Sequence, residues 1–166
     1  MKEKFYLNSD IEEISKNIIK YSKIISGKNF LISGANGFLG KYFIKTLIRM
    51  NQSLSKKIKV VAIDIKFDKS EIYKDKNIKK IKVDINKIDN LKFKSDYVLH
   101  AAGIPSPKHY YNKPIEAIFT SITGTKKLLD YSKKNKSKFI FFSSSEIYGN
   151  PDKKNIPTKE TYNGNV

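Results

Sequence analysis

The chain has 166 residues and a formal net charge of +17 at pH 7, because 33 lysines and arginines outnumber 16 acidic residues. It contains no cysteine, which excludes a disulfide framework and a thiolate metal site, and its two histidines, His100 and His109, lack the spacing of metal ligands. No apolar run reaches the roughly 18 residues of a membrane helix, and residues 1–10 lack the apolar core of a signal peptide, so we expect a cytoplasmic protein with no metal and no membrane partner.

The positive charge is carried almost entirely by lysine, since Arg49 is the only arginine. The lysines are spread along the chain on polar faces between apolar positions, as in residues 126–138. The sequence has no basic strip interleaved with aromatic residues, which is the pattern that recognises nucleic acids. We therefore expect no nucleic-acid partner.

Residues 9–26 are predicted to form an amphipathic helix. Its apolar residues recur at steps of three and four, which places them in one stripe: Ile11, Ile14, Ile18, Tyr21 and Ile25. Ser9 and Glu12 have the spacing of a capping box at the start of the helix. Such a stripe contacts either a partner protein or the helix's own domain, and we expect the second.

A glycine-rich loop carries the most informative pattern. The apolar run 30–32 leads into three glycines spaced G-x-x-G-x-x-G, namely Gly34, Gly37 and Gly40, and an amphipathic segment follows at 38–50. A strand, a tight turn and a helix N-terminus in this order present backbone N–H groups to a pyrophosphate. We expect Gly34 to permit the turn, Gly37 to let phosphate approach, and Gly40 to let the helix pack closely on the strand.

Four further apolar runs follow the glycine loop. They span residues 58–64, 78–83, 97–102 and 139–142 and alternate with helical patterns. Continuous apolar runs of this length are typical of a parallel sheet that is covered on both faces. The sequence therefore predicts an α/β fold, a Rossmann-type doubly wound parallel sheet with an extra N-terminal helix, whereas the connections 56–57 and 68–77 are predicted to be solvated.

Asp64 ends the second predicted strand. An acid about 20 residues beyond such a glycine loop receives the adenosine ribose 2′-hydroxyl and repels a 2′-phosphate. This pattern predicts NAD rather than NADP as the cofactor, although Lys66 lies two residues away and an acid at a strand end also serves as an ordinary turn residue.

The order of these motifs resembles the extended short-chain dehydrogenase/reductase family. The segments that carry the resemblance are the glycine loop 33–40, Asp64, residues 84–85, residues 100–103 and Ser-Ser-Glu-Ile-Tyr-Gly at 144–149. More narrowly, they are similar to the nucleotide-sugar epimerases, dehydratases and decarboxylases. The resemblance covers residues 28–166 and implies an NAD-binding domain there, preceded by a helical extension at 1–27.

Two later stretches, 106–125 and 148–166, are similar to the UDP-glucuronate decarboxylases within that family. The resemblance therefore implies a nucleotide-sugar substrate, with a UDP-hexuronate favoured, and a homodimer when the protein is full length. Two alternatives stay open: a related 4,6-dehydratase or 4-epimerase, and a non-catalytic NAD-binding or interaction module.

The resemblance also implies roles for individual residues. Ser144 matches the residue that hydrogen-bonds the C4 oxygen of the sugar, and Glu146 matches a carboxylate used for positioning or proton transfer. Ser145 stands where dehydratases place an acid, which favours decarboxylation, although a serine run at a strand end also caps the following turn. The implied NAD contacts come from the glycine loop and three strand ends: Gly34, Asn36, Gly37, Phe38, Leu39, Gly40, Asp64, Asp84, Ile85, His100, Ala101, Ala102 and Gly103. His100 is expected to act there through its backbone.

Two departures from the family pattern stand out. The family places an asparagine where this chain has Ser121, whose side chain is shorter and has a different set of donors. The family's base is a tyrosine followed four residues later by lysine, and no tyrosine in this sequence has lysine at that position. We therefore expect the sheet of this chain to be incomplete at its C-terminal side, without the last one or two strands and the substrate domain of its relatives. We also expect the chain to be inactive by itself while still binding NAD.

Overall fold

Five short strands form one parallel sheet in a computed structural model that describes residues 7–89, 91–104 and 107–165, without the side chains of 107–109. The strands are β1 (Asn29–Ser33), β2 (Lys59–Asp64), β3 (Ile78–Lys82), β4 (Tyr97–His100) and β5 (Lys138–Phe141). Their order across the sheet is β3-β2-β1-β4-β5. In register, Leu31 of the central strand lies between Val61 and Val98. All five predicted strands are confirmed to within one or two residues at each end.

Six α-helices accompany the sheet within the described ranges. They are α1 (Asn8–Ile18), α2 (Ser22–Ile25), α3 (Phe38–Asn51), α4 (Pro107–Asn112), α5 (Pro114–Phe119) and α6 (Thr125–Asn135). A π-helical segment, Thr120–Gly124, joins α5 to α6. Ser106 and Val166, which begin and end two stretches of the family resemblance, lie outside the described residues.

The core consists of two apolar layers, one on each face of the sheet. On one face, Ile32 packs with Ile44 and Met50 of α3. On the other face, Leu31 packs with Leu128 of α6. Because alternate side chains of a strand point to opposite faces, a strand between two helical layers must be apolar throughout. The doubly wound arrangement predicted from the sequence is confirmed.

The N-terminal helix is shorter than the sequence predicted. A 3₁₀ turn at Ile19–Tyr21 separates α1 from α2, where a single helix over 9–26 was expected. Ile11 is buried, and Ile18 and Ile25 pack against the core, but Tyr21 is about half exposed. The tighter turn changes the rotation of the second segment, so Ile25 reaches the core and Tyr21 does not.

The predicted capping box is also wrong. The residue preceding α1 is Leu7, and no side chain caps the first turn. The Ser9 hydroxyl instead donates to the neighbouring Asp10 carboxylate at 3.3 Å. Because the helix begins before Ser9, the serine lies inside the first turn and its hydroxyl is not available as an N-cap.

The expectation that this extension packs on its own domain is confirmed. Glu12 of α1 accepts two hydrogen bonds from Arg49 of α3, at 2.6 and 2.8 Å. The Tyr42 hydroxyl, also on α3, donates to Asp10 at 2.7 Å. The α1 helix therefore lies against α3, the helix that begins at the glycine loop.

Candidate functional site

The carboxyl ends of the five strands meet at one edge of the sheet because all of them are parallel. The chain runs outward from β1 to β2 and β3 and then returns to place β4 on the other side of β1. The order therefore reverses between β1 and β4, and ligands of open α/β sheets bind at the carboxyl ends beside such a reversal. The glycine loop leaves β1 at this point.

Gly34 makes the turn out of β1. Its φ of +67° lies in the left-handed region, which residues with a Cβ atom rarely adopt. A Cβ at this position would lie 2.5 Å from the carbonyl oxygen of Ala101, which follows β4. The turn predicted at Gly34 is confirmed, whereas its contact with NAD stays a prediction. The structure adds a second reason for glycine, because the loops after β1 and β4 touch here.

Gly40 brings α3 close to the loop. A Cβ there would lie 2.3 Å from the Gly34 oxygen and 2.7 Å from the Ala35 Cα. The expected close packing is therefore confirmed. At Gly37 a Cβ would lie 3.1 Å from the Gly34 oxygen, and its role toward phosphate stays a prediction.

The N-terminus of α3 is suited to an anion. Gly37 precedes the helix without a side-chain cap, and the first turn, which the structure describes completely, contains no acidic residue. Phe38 and Leu39 in that turn are exposed. An uncapped helix N-terminus offers backbone N–H groups and a positive dipole end, which fit the pyrophosphate of a dinucleotide.

Asp64 lies beside the glycine loop at the end of β2. Its Oδ2 accepts a hydrogen bond from the Asn36 backbone N–H at 2.8 Å, and its Oδ1 accepts one from the Lys66 N–H at 3.2 Å. The carboxylate thus fixes Asn36, a residue also predicted to bind cofactor. Each carboxylate oxygen has further acceptor capacity, so both contacts are compatible with the predicted ribose bond.

The segment after β2 contributes contacts that the sequence did not reveal. The connection 68–77 was predicted to be solvated, and this prediction is wrong for its centre, where Ile72 and Tyr73 are buried. The Tyr73 hydroxyl donates to the Ala35 carbonyl at 2.8 Å and lies 3.2 Å from the Asn36 side-chain oxygen. Tyr73 lies 38 residues after Ala35 in the chain, so no local sequence pattern indicates that it contacts the glycine loop.

Asp84 and Ile85 follow β3 at the same sheet edge. The Asp84 carboxylate accepts from the Asn86 backbone N–H at 2.9 Å, which starts a short 3₁₀ turn. Ile85 is buried against Gly124, where a Cβ would lie 2.7 Å from an Ile85 methyl carbon. The structure therefore holds this pair firmly at the edge of the sheet.

His100 is buried at the end of β4 and held on both sides. Its Nδ1 lies 2.7 Å from the Ser33 hydroxyl, and its Nε2 lies 2.9 Å from the Thr125 hydroxyl. Burial lowers the pKa of His100 below its ordinary value, so the ring is neutral at pH 7. The ring links β1, β4 and α6, while the chain continues through Ala101 and Ala102 to the exposed Gly103.

The serine run after β5 is exposed. The Ser144 hydroxyl accepts from the Glu146 backbone N–H at 3.2 Å and caps a 3₁₀ turn, Ser145–Tyr148. Accepting this bond leaves the hydroxyl proton available for donation. The side chains of Ser145 and Glu146 are also open to solvent, so all three residues can reach a ligand at this edge.

Ser121 lies in the π-helical segment and is exposed. Within the described ranges, no helix is long and apolar enough to cross a membrane. The same residues contain no cluster of three His, Asp or Glu side chains able to hold a metal ion.

Comparison with known proteins agrees with this geometry. A family profile described as "NAD dependent epimerase/dehydratase family" matches residues 30–165. The chain is 29% identical over 141 residues to UDP-glucuronic acid decarboxylase 1 of Arabidopsis thaliana, with 82% of this chain and 30% of that protein covered. It is 32% identical to UDP-N-acetyl-alpha-D-glucosaminuronate decarboxylase of Bacillus cytotoxicus, with 74% and 38% covered.

Among solved structures, the chain is similar to a UDP-N-acetylglucosamine 4-epimerase from Methanobrevibacter ruminantium M1 in complex with UDP-N-acetylmuramic acid. The TM-score is 0.68 and the identity is 33%, with 84% of this chain and 44% of that chain covered. The chain thus spans less than half the length of each of these relatives. The profile nevertheless covers nearly all of the described sheet and its strand-end loops, so the chain belongs to the NAD dependent epimerase/dehydratase family, and NAD is its cofactor.

Proposed function

We propose that this chain forms the NAD-binding part of a nucleotide-sugar decarboxylase that acts on a UDP-hexuronate such as UDP-glucuronate. The observation that carries the proposal is the exposed Ser144–Glu146 segment, which lies at the same sheet edge as the glycine loop. The two decarboxylase relatives, at 29% and 32% identity, support the same reaction class.

The reaction begins with oxidation at C4 of the sugar. NAD, when bound, supplies the hydride acceptor for this oxidation and the donor for the later reduction. A ketone at C4 makes the sugar a β-keto acid, because the C6 carboxylate is attached to C5. The C5–C6 bond can therefore break with release of carbon dioxide. The electron pair left on C5 is then delocalised into the C4 carbonyl, and a proton is added at C5.

We assign Ser144 to the C4 oxygen. A hydroxyl that donates to this oxygen stabilises the negative charge that develops when the carboxyl group leaves. Its existing bond is one that it accepts from the Glu146 N–H, which orients the oxygen and leaves the proton for the substrate.

We assign Glu146 to positioning or proton transfer near C5. Its exposed side chain needs no rearrangement of packed residues to reach a ligand. Ser145 is a poor general acid, because a hydroxyl does not ionise near neutral pH. It therefore favours decarboxylation over a dehydration that would require protonation of a leaving hydroxyl.

The C4 hydroxyl also needs a base. No tyrosine of this sequence is followed four residues later by lysine, so we expect the base to come from outside these 166 residues. The chain alone is then expected to bind NAD without turning over a sugar. The domain division at residue 28, the homodimer and the cytoplasmic location stay predictions.

The test uses the complete natural protein that contains this segment, incubated with UDP-glucuronate and NAD. We expect carbon dioxide release in proportion to a UDP-pentose product, and a strong loss of both in the Glu146→Gln and Ser144→Ala variants. In a parallel incubation with UDP-glucose in place of UDP-glucuronate, formation of a 4-keto-6-deoxy sugar would contradict the proposal.

A second candidate is a 4-epimerase. The 33% identity to the Methanobrevibacter enzyme favours it, because that solved relative is named a 4-epimerase. In the same assay an epimerase would change the configuration at C4 and retain every carbon atom. Retention of the carboxyl carbon together with C4 inversion would therefore select this candidate over the first.

A further inference from the structure

An ion pair between Lys41 and Asp68 connects the first turn of α3 to the segment after β2. The Lys41 ammonium donates to the Asp68 carboxylate at 2.5 Å. Lys41 is 3% exposed, whereas the Asp68 side chain is 39% exposed. Lys41 directly follows Gly40, so a buried cation lies one residue beyond the glycine loop, and its carboxylate partner faces the solvent side.

This ion pair lies in the same corner as Asp64. Asn36 connects the two acids, since its backbone N–H donates to Asp64 at 2.8 Å and its side-chain oxygen lies 3.4 Å from the Asp68 N–H. Both acids, Asp64 and Asp68, also lie close enough to Tyr73 to affect the pKa of its hydroxyl. Burial is the main cause that raises the pKa of the Tyr73 hydroxyl, and the negative charges of Asp68 and Asp64 raise it further.

Asp68 is charged in this arrangement. Burial alone would raise the pKa of its carboxyl, but hydrogen bonds from Lys41 and the Ser70 N–H outweigh burial and hold that pKa below its ordinary value. The corner therefore carries the Asp64 and Asp68 carboxylates beside the buried Lys41 ammonium, and Lys69, Lys74 and Lys80 line the surface next to Asp68. A 2′-phosphate, which NADP has and NAD lacks, would meet in Lys41 an ammonium that is already paired with a carboxylate.

We propose that Asp68 is a second determinant of cofactor choice beside Asp64, because it holds the Lys41 ammonium and thereby denies it to a 2′-phosphate. The proposal rests on the NAD site at the glycine loop and goes beyond it by assigning a role to an ion pair outside the expected set of cofactor contacts. Lys41 is in this view a latent phosphate-binding residue that Asp68 masks.

The two partners of the ion pair make opposite predictions, which separates a charge effect from a structural one. Asp68→Asn removes a negative charge of nearly unchanged shape, and the affinity ratio of NADPH to NADH should rise about tenfold. Lys41→Gln removes the cation and leaves the carboxylate, so the same ratio should fall. The double variant should return close to the wild-type ratio.

The experiment measures dissociation constants of NADH and NADPH by their fluorescence for the wild-type chain and the three variants, with thermal melts to confirm folding. The increase in the affinity ratio of NADPH to NADH in Asp68→Asn should become smaller at high salt, because ions screen a partly exposed charge. Ratios that stay constant, or that move in the same direction in both single variants, would show that the pair only stabilises the fold. If Asp68→Asn fails to fold, the Lys41→Gln variant tests the proposal alone: a lower affinity ratio of NADPH to NADH supports it, and an unchanged or higher ratio contradicts it.

A folded wild-type chain that binds neither dinucleotide would overturn the cofactor site itself. Binding of NADH with an unchanged ratio in the variants would overturn only the role of Asp68.

Discussion

At the residue scale, the conformation of the glycine loop requires two positions without a Cβ atom, Gly34 and Gly40. Gly34 combines a left-handed φ with a backbone oxygen 2.5 Å from the place of its Cβ, and Gly40 faces backbone atoms at 2.3 Å and 2.7 Å. These neighbouring atoms belong to the backbone, which cannot move aside to accommodate a Cβ as the end of a flexible side chain can. These contacts tie the loop after β1 both to α3 and to the loop after β4.

We expect Gly34→Ala and Gly40→Ala each to lower the free energy of unfolding by about 2–3 kcal/mol and to abolish NAD binding in the folded fraction. Urea denaturation measures the first effect and calorimetric titration the second. Gly103→Ala is the matched control for the stability measurement, because nothing lies within 4 Å of its Cβ position. Equal stability of Gly40→Ala and Gly103→Ala would contradict the packing described for the loop.

His100 gives a second prediction at this scale. Its pKa in the folded chain lies below the ordinary value of 6.5, because burial disfavours the charged ring. The unfolded chain therefore binds more protons as the pH falls below that value, and the free energy of unfolding should fall with it. We expect a loss of stability between pH 7 and pH 5.

Urea denaturation at a series of pH values tests this expectation, with His100→Asn as the comparison. The variant should be less stable at pH 7, yet its stability should change less across the same interval. The acids with lowered pKa values, Glu12, Asp68 and Asp96, lose their contribution only at lower pH, since their ordinary values are 4.5 and 3.8. An unchanged pH slope in the variant would show that His100 is not the group responsible.

At the element scale, α1 is attached to the domain mainly through its buried apolar side. Ile11 is 2% exposed, whereas the ion pair between Glu12 and Arg49 is open to solvent and contributes little. We expect Ile11→Ala to lower the free energy of unfolding by about 2–4 kcal/mol. The exposed Ile24→Ala should change it by no more than about 0.5 kcal/mol.

Both variants are compared by urea denaturation monitored by circular dichroism. A transition in which α1 melts separately from the sheet, with Ile11→Ala affecting only that phase, would contradict the attachment of α1 to the domain through Ile11.

The elements also show which parts of the structure a sequence can predict. The strands follow from their composition, because a strand buried on both faces must be apolar along its whole length, as 60–63 of β2 is. The position of Asp64 beside the glycine loop follows from parallel strands ending at one edge.

What the sequence did not reveal depends on distant contacts. Tyr73 is buried in the apolar core that includes Ile32 and Ile44, and its hydroxyl reaches the Ala35 carbonyl there. The capping pattern at Ser9 fails because the helix starts earlier, where no local signal exists. The bond from Lys41 to Asp68 spans 27 residues and is invisible to a local pattern for the same reason.

At the scale of the whole molecule, the two edges of the sheet differ. The edge strand β3 carries exposed lysines at 79, 80 and 82, which oppose pairing with another strand. The other edge strand, β5, has exposed Ile140 and is followed by exposed Phe142. Lys138 at the start of β5 is the only charged residue of that strand, whereas Ile140 and Phe141 are exposed. A mainly apolar edge favours association through unpaired backbone groups.

We therefore expect the 166-residue chain to self-associate in a concentration-dependent way, and Ile140→Lys to reduce that association. Sedimentation velocity over a range of concentrations measures both. Ile156→Lys, which adds the same charge at an exposed position outside the strands, is the control. A wild-type chain that remains monomeric at high concentration would contradict the role given to β5.

The most direct test of the cofactor site is calorimetric titration of the purified chain with NAD, beside an Asp64→Ala variant whose folding is verified by circular dichroism. We predict saturable binding at one site and an affinity at least about tenfold lower in the variant, equivalent to about 1.4 kcal/mol. A folded chain that takes up no NAD, or a variant that binds as tightly as the wild type, would contradict the assignment of the glycine loop and Asp64 as the cofactor site.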